Sequence, residues 1–120
     1  MRAFDFDLDS ARRIDAFGSH FSMARLVHNE HLHVGCMYLP PRGRVGYHSA
    51  AGHQLFAVVQ GHGWTRTGEG ERVEIECGQA VLWEPGEMHE AGTETGMMVM
   101  VIEGDVVSSS PEEIGPVSQP

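Results

Sequence analysis

The sequence predicts an all-β domain, a barrel or sandwich of short strands. Two features carry that expectation. Apolar stretches of strand length recur from Phe21 to Glu103, and glycine or proline turns break them at short spacing, the pattern of sandwiches and barrels. A third feature points to where function sits. Two segments, Gly43 to Gly61 and Gly78 to His89, each combine an apolar strand, flanking glycines and a histidine at or near a strand end. Neighbouring strands that deliver two distant histidines to one place can build a metal or ligand site inside a small barrel.

Residues 1–20 are expected as an N-terminal arm, strand or short helix. Asp9 or Ser10 would cap a short helix through Ala16, with Gly18 as its stop. The competing reading is a strand that crosses to another subunit, because Phe4 and Phe6 alternate within Arg2 to Leu8. The barrel is expected over residues 21–103. Phe21 to Val27 reads as a strand, Asn29-Glu30 as a turn, and Leu32 to Leu39 as a second strand ended by Pro40-Pro41, which cannot continue a ladder. Gln54 to Gln60 is apolar, and Gly61-His62-Gly63 is expected to turn it back into Trp64 to Thr67. Gly68-Glu69-Gly70 turns again into Glu71 to Ile75. Gln79 to Trp83, the Pro85-Gly86 turn, His89 to Thr93 and the near-continuous apolar run Met97 to Glu103 complete the set. Residues 104–120, rich in Ser, Pro and Gly, are expected as a flexible tail.

A chain of 120 residues with 41% hydrophobic content is one domain with a modest core. Eight cations, all arginine, face 17 carboxylates for a formal charge of −9. Such a surface repels phosphate backbones, so neither nucleic acid nor an anionic membrane is an expected partner. No apolar run approaches the ~20 residues of a membrane span. The N-terminus lacks the apolar core of a secretory signal, and Cys36 and Cys77 have no paired spacing, so a cytoplasmic location with reduced thiols is expected.

Imidazole is a common transition-metal ligand and must be neutral to bind. His48 and His89 are the candidates that the two segments supply. Strand alternation puts Gln54, Phe56 and Val58 on one face and His53 on the other, unless the Ala51-Gly52 turn re-aims it. Phe56, Val58 and Trp83 are the expected pocket wall, Trp83 because it precedes the turn leading to His89.

The two segments resemble the two motifs of the cupin superfamily. The first of these is a glycine, His-x-His, a Glu, and a Gly beyond it. His48 falls at the first His, and Gln54 falls at the Glu because Gly61 lies seven residues on. In the second, Gly78, Gly86 and His89 match, Pro85 lies one place late, and Thr93 occupies the Asn position. The resemblance spans about residues 32–103 and implies a small single-domain cupin of the cupin 2 conserved-barrel kind, a jelly-roll or double-stranded β-helix. It also implies a divalent transition metal (Zn, Fe, Ni or Mn) held by His48, Gln54 and His89, with His53 a weaker substitute. Two departures matter. Ala50 stands where the second His belongs, and Gln54 removes the one anionic ligand, which weakens a cation site.

His20, His28 and His62 read as exposed turn residues. His31 and His33 share one strand face and read as edge-facing, with the barrel mouth as the alternative. The methionines read as core filler. No Gly-x-Ser-x-Gly elbow, phosphate loop or lysine is present for other chemistries. Three functions stay open: a metal-dependent dioxygenase or isomerase, a non-catalytic ligand-binding or sensor module, and a metal-free epimerase-like enzyme with His48 or His89 as base. Each takes a small molecule through the barrel mouth, and open strand edges suggest a homodimer.

Overall fold

In a computed structural model, which describes residues 1–104, nine antiparallel strands curl into a jelly roll. The strands are β1 (Arg12–Ile14), β2 (Phe21–His28), β3 (Leu32–Leu39), β4 (Arg44–Ser49), β5 (His53–Thr67), β6 (Val73–Glu76), β7 (Ala80–Trp83), β8 (Met88–Gly92) and β9 (Met97–Gly104). One sheet runs β1-β2-β3-β9-β5-β7, and the other runs β4-β8-β5-β6. Most of the expected tail lies outside the described residues.

The two sheets share β5, which corrects one expectation. Gly61-His62-Gly63 does not reverse the chain. It carries a single strand around a corner, from β9 and β7 on one sheet to β6 and β8 on the other. The register against β9 shifts between Val58 and Gln60, and Gly61 has φ +82°. A bulge followed by a left-handed glycine bends a strand and increases its twist without ending its pairing. A side chain at Gly61 would also press on the Gly96 carbonyl.

The arm is a second correction. No helix spans Asp9 to Ala16. Asp7, not Asp9 or Ser10, caps a single 3-10 turn at Leu8–Ser10, its carboxylate accepting from Ser10 N at 3.1 Å. Arg12 to Ile14 then pairs with Met23 to Phe21 of the same chain, and the Tyr38 hydroxyl donates to Phe6 O at 2.7 Å. Arg12 to Ile14 and the Phe6 carbonyl therefore find partners on the chain's own barrel, while Arg2 to Leu8, the segment that the competing reading sends to a neighbouring sheet, is exposed.

Alternation along each strand sends one set of side chains inward. Phe21, Met37, Leu39, Phe56, Val58, Ile75, Trp83, Val99 and Val101 form the core, each 6% exposed or less. Burying a side chain such as Phe56 contributes roughly 1.5–3 kcal/mol. No helix among the described residues is long and apolar enough to cross a membrane.

Candidate ligand and metal site

β4 and β8 pair so that His48 and His89 are direct cross-strand partners. A register shift between Val45 and His48 brings this about. The two ring centroids are 4.4 Å apart. Each ring is tied by Nδ1 to a backbone carbonyl two residues earlier, His48 to Gly46 O at 2.7 Å and His89 to Glu87 O at 3.1 Å. A carbonyl only accepts, so Nδ1 carries the proton in both rings and Nε2 keeps its lone pair. That is the tautomer a metal-binding imidazole needs. His89 is 1% exposed. Burial pushes its imidazole below the ordinary value, with the charge of His48 acting the same way against the pull of Glu87, so the neutral form is favoured.

Two aromatic rings frame the pair. Trp83 stacks on His89 at 4.1 Å and donates Nε1–H to Thr67 Oγ1 at 2.8 Å. Phe17 stacks on His48 at 5.0 Å with planes 7° apart. Phe17 sits at φ +59°, a conformation that a bulky L-residue adopts at a cost of about 1–3 kcal/mol. The arm is clipped to the edge of β4 by Ser19 Oγ, which accepts from Gly46 N at 2.8 Å, and by the His20–Arg44 bridge. Gly46 is required there because a Cβ would collide with Phe17 O.

The other site candidates fall in different places. Ala50, at the missing second His, is 2% exposed and packed in the core. His53 Nε2 lies 2.9 Å from Glu84 Oε2, so the Ala51-Gly52 turn leaves it engaged with an exposed carboxylate. Phe56 and Val58 are core residues that line neither hollow described below; neighbouring side chains fill the space in front of them. Trp83 does frame the imidazoles. Gln54 pairs with Trp83 on one side and Glu103 on the other, and its Oε1 is buried with no hydrogen-bond partner among the described residues. No group of three or more His, Cys, Asp or Glu side chains among the described residues could hold a metal.

Gln54 opens onto a cavity of about 210 Å³ lined also by Arg25, His28, His33 and Glu103. The register explains this assembly. His28 pairs with His33, His33 with Glu103, and Glu103 with Gln54, and paired residues share a face. One polar row thus crosses four strands and ends on Trp83. His28, expected as an exposed turn residue, is exposed at the end of β2, and His33, expected to face an edge or the barrel mouth, is half-buried; both line the cavity. The signal available was Arg25, a charge in phase with Phe21 and Met23 on an apolar strand. A larger hollow, about 560 Å³, lies between the arm and the outer face of the sheet, against Leu8, Tyr38 and Met98. None of the residues of the imidazole pair or the polar row lines it.

Residues 39–116 match the family model described as AraC-like ligand binding domain. The chain belongs to this family of AraC-like ligand-binding domains. Solved structures agree on its cupin fold. A cupin 2 conserved barrel domain protein from Salinispora arenicola superposes with a TM-score of 0.72 at 15% identity, covering 88% of this chain and 90% of that one. An RmlC-like cupin from Shewanella frigidimarina gives 0.70 at 18% identity, over 93% and 95%. A predicted oxalate decarboxylase from Thermotoga maritima gives 0.72 at 23% identity, over 81% and 93%. No curated protein is significantly similar in sequence.

Proposed function

We propose that this AraC-like domain is a binding module that takes a small molecule into the barrel, with a weakly held divalent transition metal at its inner end. His48 and His89 would hold the ion through Nε2, with Gln54 Oε1 as the third protein donor and water or ligand in the open positions. The observation that supports the reading is the pair of rings 4.4 Å apart, each with Nδ1 tied to a carbonyl. The orphaned Gln54 Oε1 is a neutral donor in want of a partner. Two imidazoles and an amide carry no negative charge, so the ion is held less tightly than in a site with a carboxylate, which suits a binding module better than a metal-dependent dioxygenase or isomerase. The metal-free alternative rests on His89, a buried neutral imidazole with Nε2 free to act as a base.

The test is Ni(II) and Zn(II) titration of chelator-treated protein, followed by Trp83 fluorescence in a Trp64→Phe background. Saturable quenching that vanishes in His48→Ala and His89→Ala is expected. A titration that neither substitution changes would remove the metal from the proposal.

We also propose a homodimer through the outer face of the larger sheet. Val34, Leu55, Leu82 and Ile102 form one outward row, and Ala57 and Met100 stand in another. Neither row holds a charge, so two copies can meet there without opposing like charges despite the net charge of −9. Light scattering that returned a monomer mass near 13.2 kDa would end this proposal.

A further inference from the structure

The polar row at the barrel mouth has a charge arrangement of its own. Arg25 and Glu103 line the same cavity, yet no ion pair involves either residue among the described residues. Arg25 is held by His28. Its Nη1 donates to His28 Nδ1 at 3.0 Å, and His33 Nδ1 lies 2.7 Å from the same nitrogen. Arginine can only donate, so His28 Nδ1 is the acceptor, and Arg25 Nη1 and protonated His33 Nδ1 share its single lone pair. Among the described residues this contact occupies one of the five guanidinium N–H groups.

On the far side of the row stand two acceptors. Glu103 pairs laterally with both His33 and Gln54, and Gln54 Oε1 is buried and has no hydrogen-bond partner among the described residues. Between the two sides lies Gly35, the ladder partner of both Arg25 and Val101. The Met23 side chain takes up the room a Cβ would need there, its Sδ 2.6 Å from that position, so the thioether of Met23 forms the cavity wall beside Arg25. The volume, about 210 Å³, equals about seven water molecules at liquid density.

We infer that the cavity is a subsite for a small zwitterion, an amino carboxylate whose carboxylate meets Arg25 and whose ammonium meets Glu103, with Gln54 Oε1 as a second acceptor when no metal is bound. The charges decide between ligand classes. A plain carboxylate satisfies Arg25 but adds a second negative charge beside Glu103. A plain amine satisfies Glu103 and leaves Arg25 unmatched. A zwitterion compensates both, and burying a charge without a partner is the costly alternative. A phosphate would bring two negative charges towards Glu103 and an unsatisfied carbonyl oxygen, which the site is not built to accept.

This inference deepens the proposed ligand-binding reading and names its ligand class, but it does not depend on the metal. It is tested by calorimetric titration of chelator-treated protein with glycine, L-serine and β-alanine, and in parallel with acetate and ethylamine. At least one zwitterion should bind about tenfold or more tightly than either half-molecule, the difference one charge-assisted contact supplies. Arg25→Gln and Glu103→Gln should each remove that preference, with circular dichroism confirming that both variants are folded. Arg25 is exposed and Glu103 half-buried at the end of β9, so neither holds the core. Glu103→Gln should bring acetate and the zwitterion to similar affinity. No zwitterion binding, equal binding of acetate to the wild type, or an unchanged preference in the variants would each overturn the inference. Ni(II) binding by His48 and His89, measured separately, stands or falls independently.

Discussion

Replacing Trp83 tests the link between core and site. The indole is 3% exposed, stacks on His89 at 4.1 Å, meets Phe56 edge-on at 5.5 Å and donates to Thr67 at 2.8 Å. Truncating a buried aromatic to Ala costs about 3–5 kcal/mol through lost transfer energy and the void left behind. The aromatic contacts add about 0.5–1.5 kcal/mol of their own. Thr67 is exposed, so its hydroxyl regains water, and loss of that bond costs only about 0.5–1.5 kcal/mol. Trp83→Ala should therefore cost about 4 kcal/mol, much of the ~5–15 kcal/mol that holds a domain together. Trp83→Phe keeps the ring against Phe56 and His89 and loses mainly the Thr67 bond, so it should cost about 1–2 kcal/mol. Urea unfolding followed by circular dichroism measures both, with the slopes compared to confirm a common unfolded state. If Trp83→Ala costs less than about 1 kcal/mol, or no more than Trp83→Phe, then Trp83 is not the wall between the core and the imidazoles.

Four further outcomes are expected. Gln54→Glu should tighten Ni(II) binding because a charged oxygen replaces a neutral one, whereas Ala50→His should cost about 1–3 kcal/mol of stability because its side chain enters a filled core; equal metal affinity of Gln54→Glu and wild type would show that Gln54 serves the outer cavity alone. Gly46→Ala should push Phe17 off His48, and the freed arm should show as faster amide exchange at Ser19 and His20 with β2 and β3 unchanged; unchanged protection there would refute the docking. Burial, followed by the Cys36 thiol and the charge of Asp7, holds the Tyr38 phenol up at about 12. The neutral phenol is the form the fold favours, so its contribution to stability is complete below the ordinary value of 10 and is lost as pH rises towards about 12. Ultraviolet titration of Tyr47→Phe protein, in which Tyr38 is the remaining tyrosine, should give a midpoint well above 10; a midpoint at the ordinary value would refute the burial.

Much of the fold and part of the site was legible in the chain, because those parts are set by local chemistry. Pro40-Pro41 ends a ladder wherever it stands, alternation buries Phe56 and Val58 on one face, and the glycine spacing around His48 and His89 placed both on paired strands. Gly61 shows where local information stops. Positive φ serves a hairpin turn and a bulged corner equally, and only pairing with β9 on one side and β6 and β8 on the other makes β5 a corner. The arm is similar: Arg12 to Ile14 could pair with any open edge, and β2 of the same chain was free to take it. The row His28, His33, Glu103 and Gln54 was beyond reach for a stronger reason. Those residues come from four strands, and a shift of one residue in any ladder would turn its side chain to the opposite face. Residue type and spacing determined that this chain has strands and two histidines to offer. The register between distant strands, set by packing of the whole barrel, decided that a guanidinium, two imidazoles, an amide and a carboxylate share one cavity.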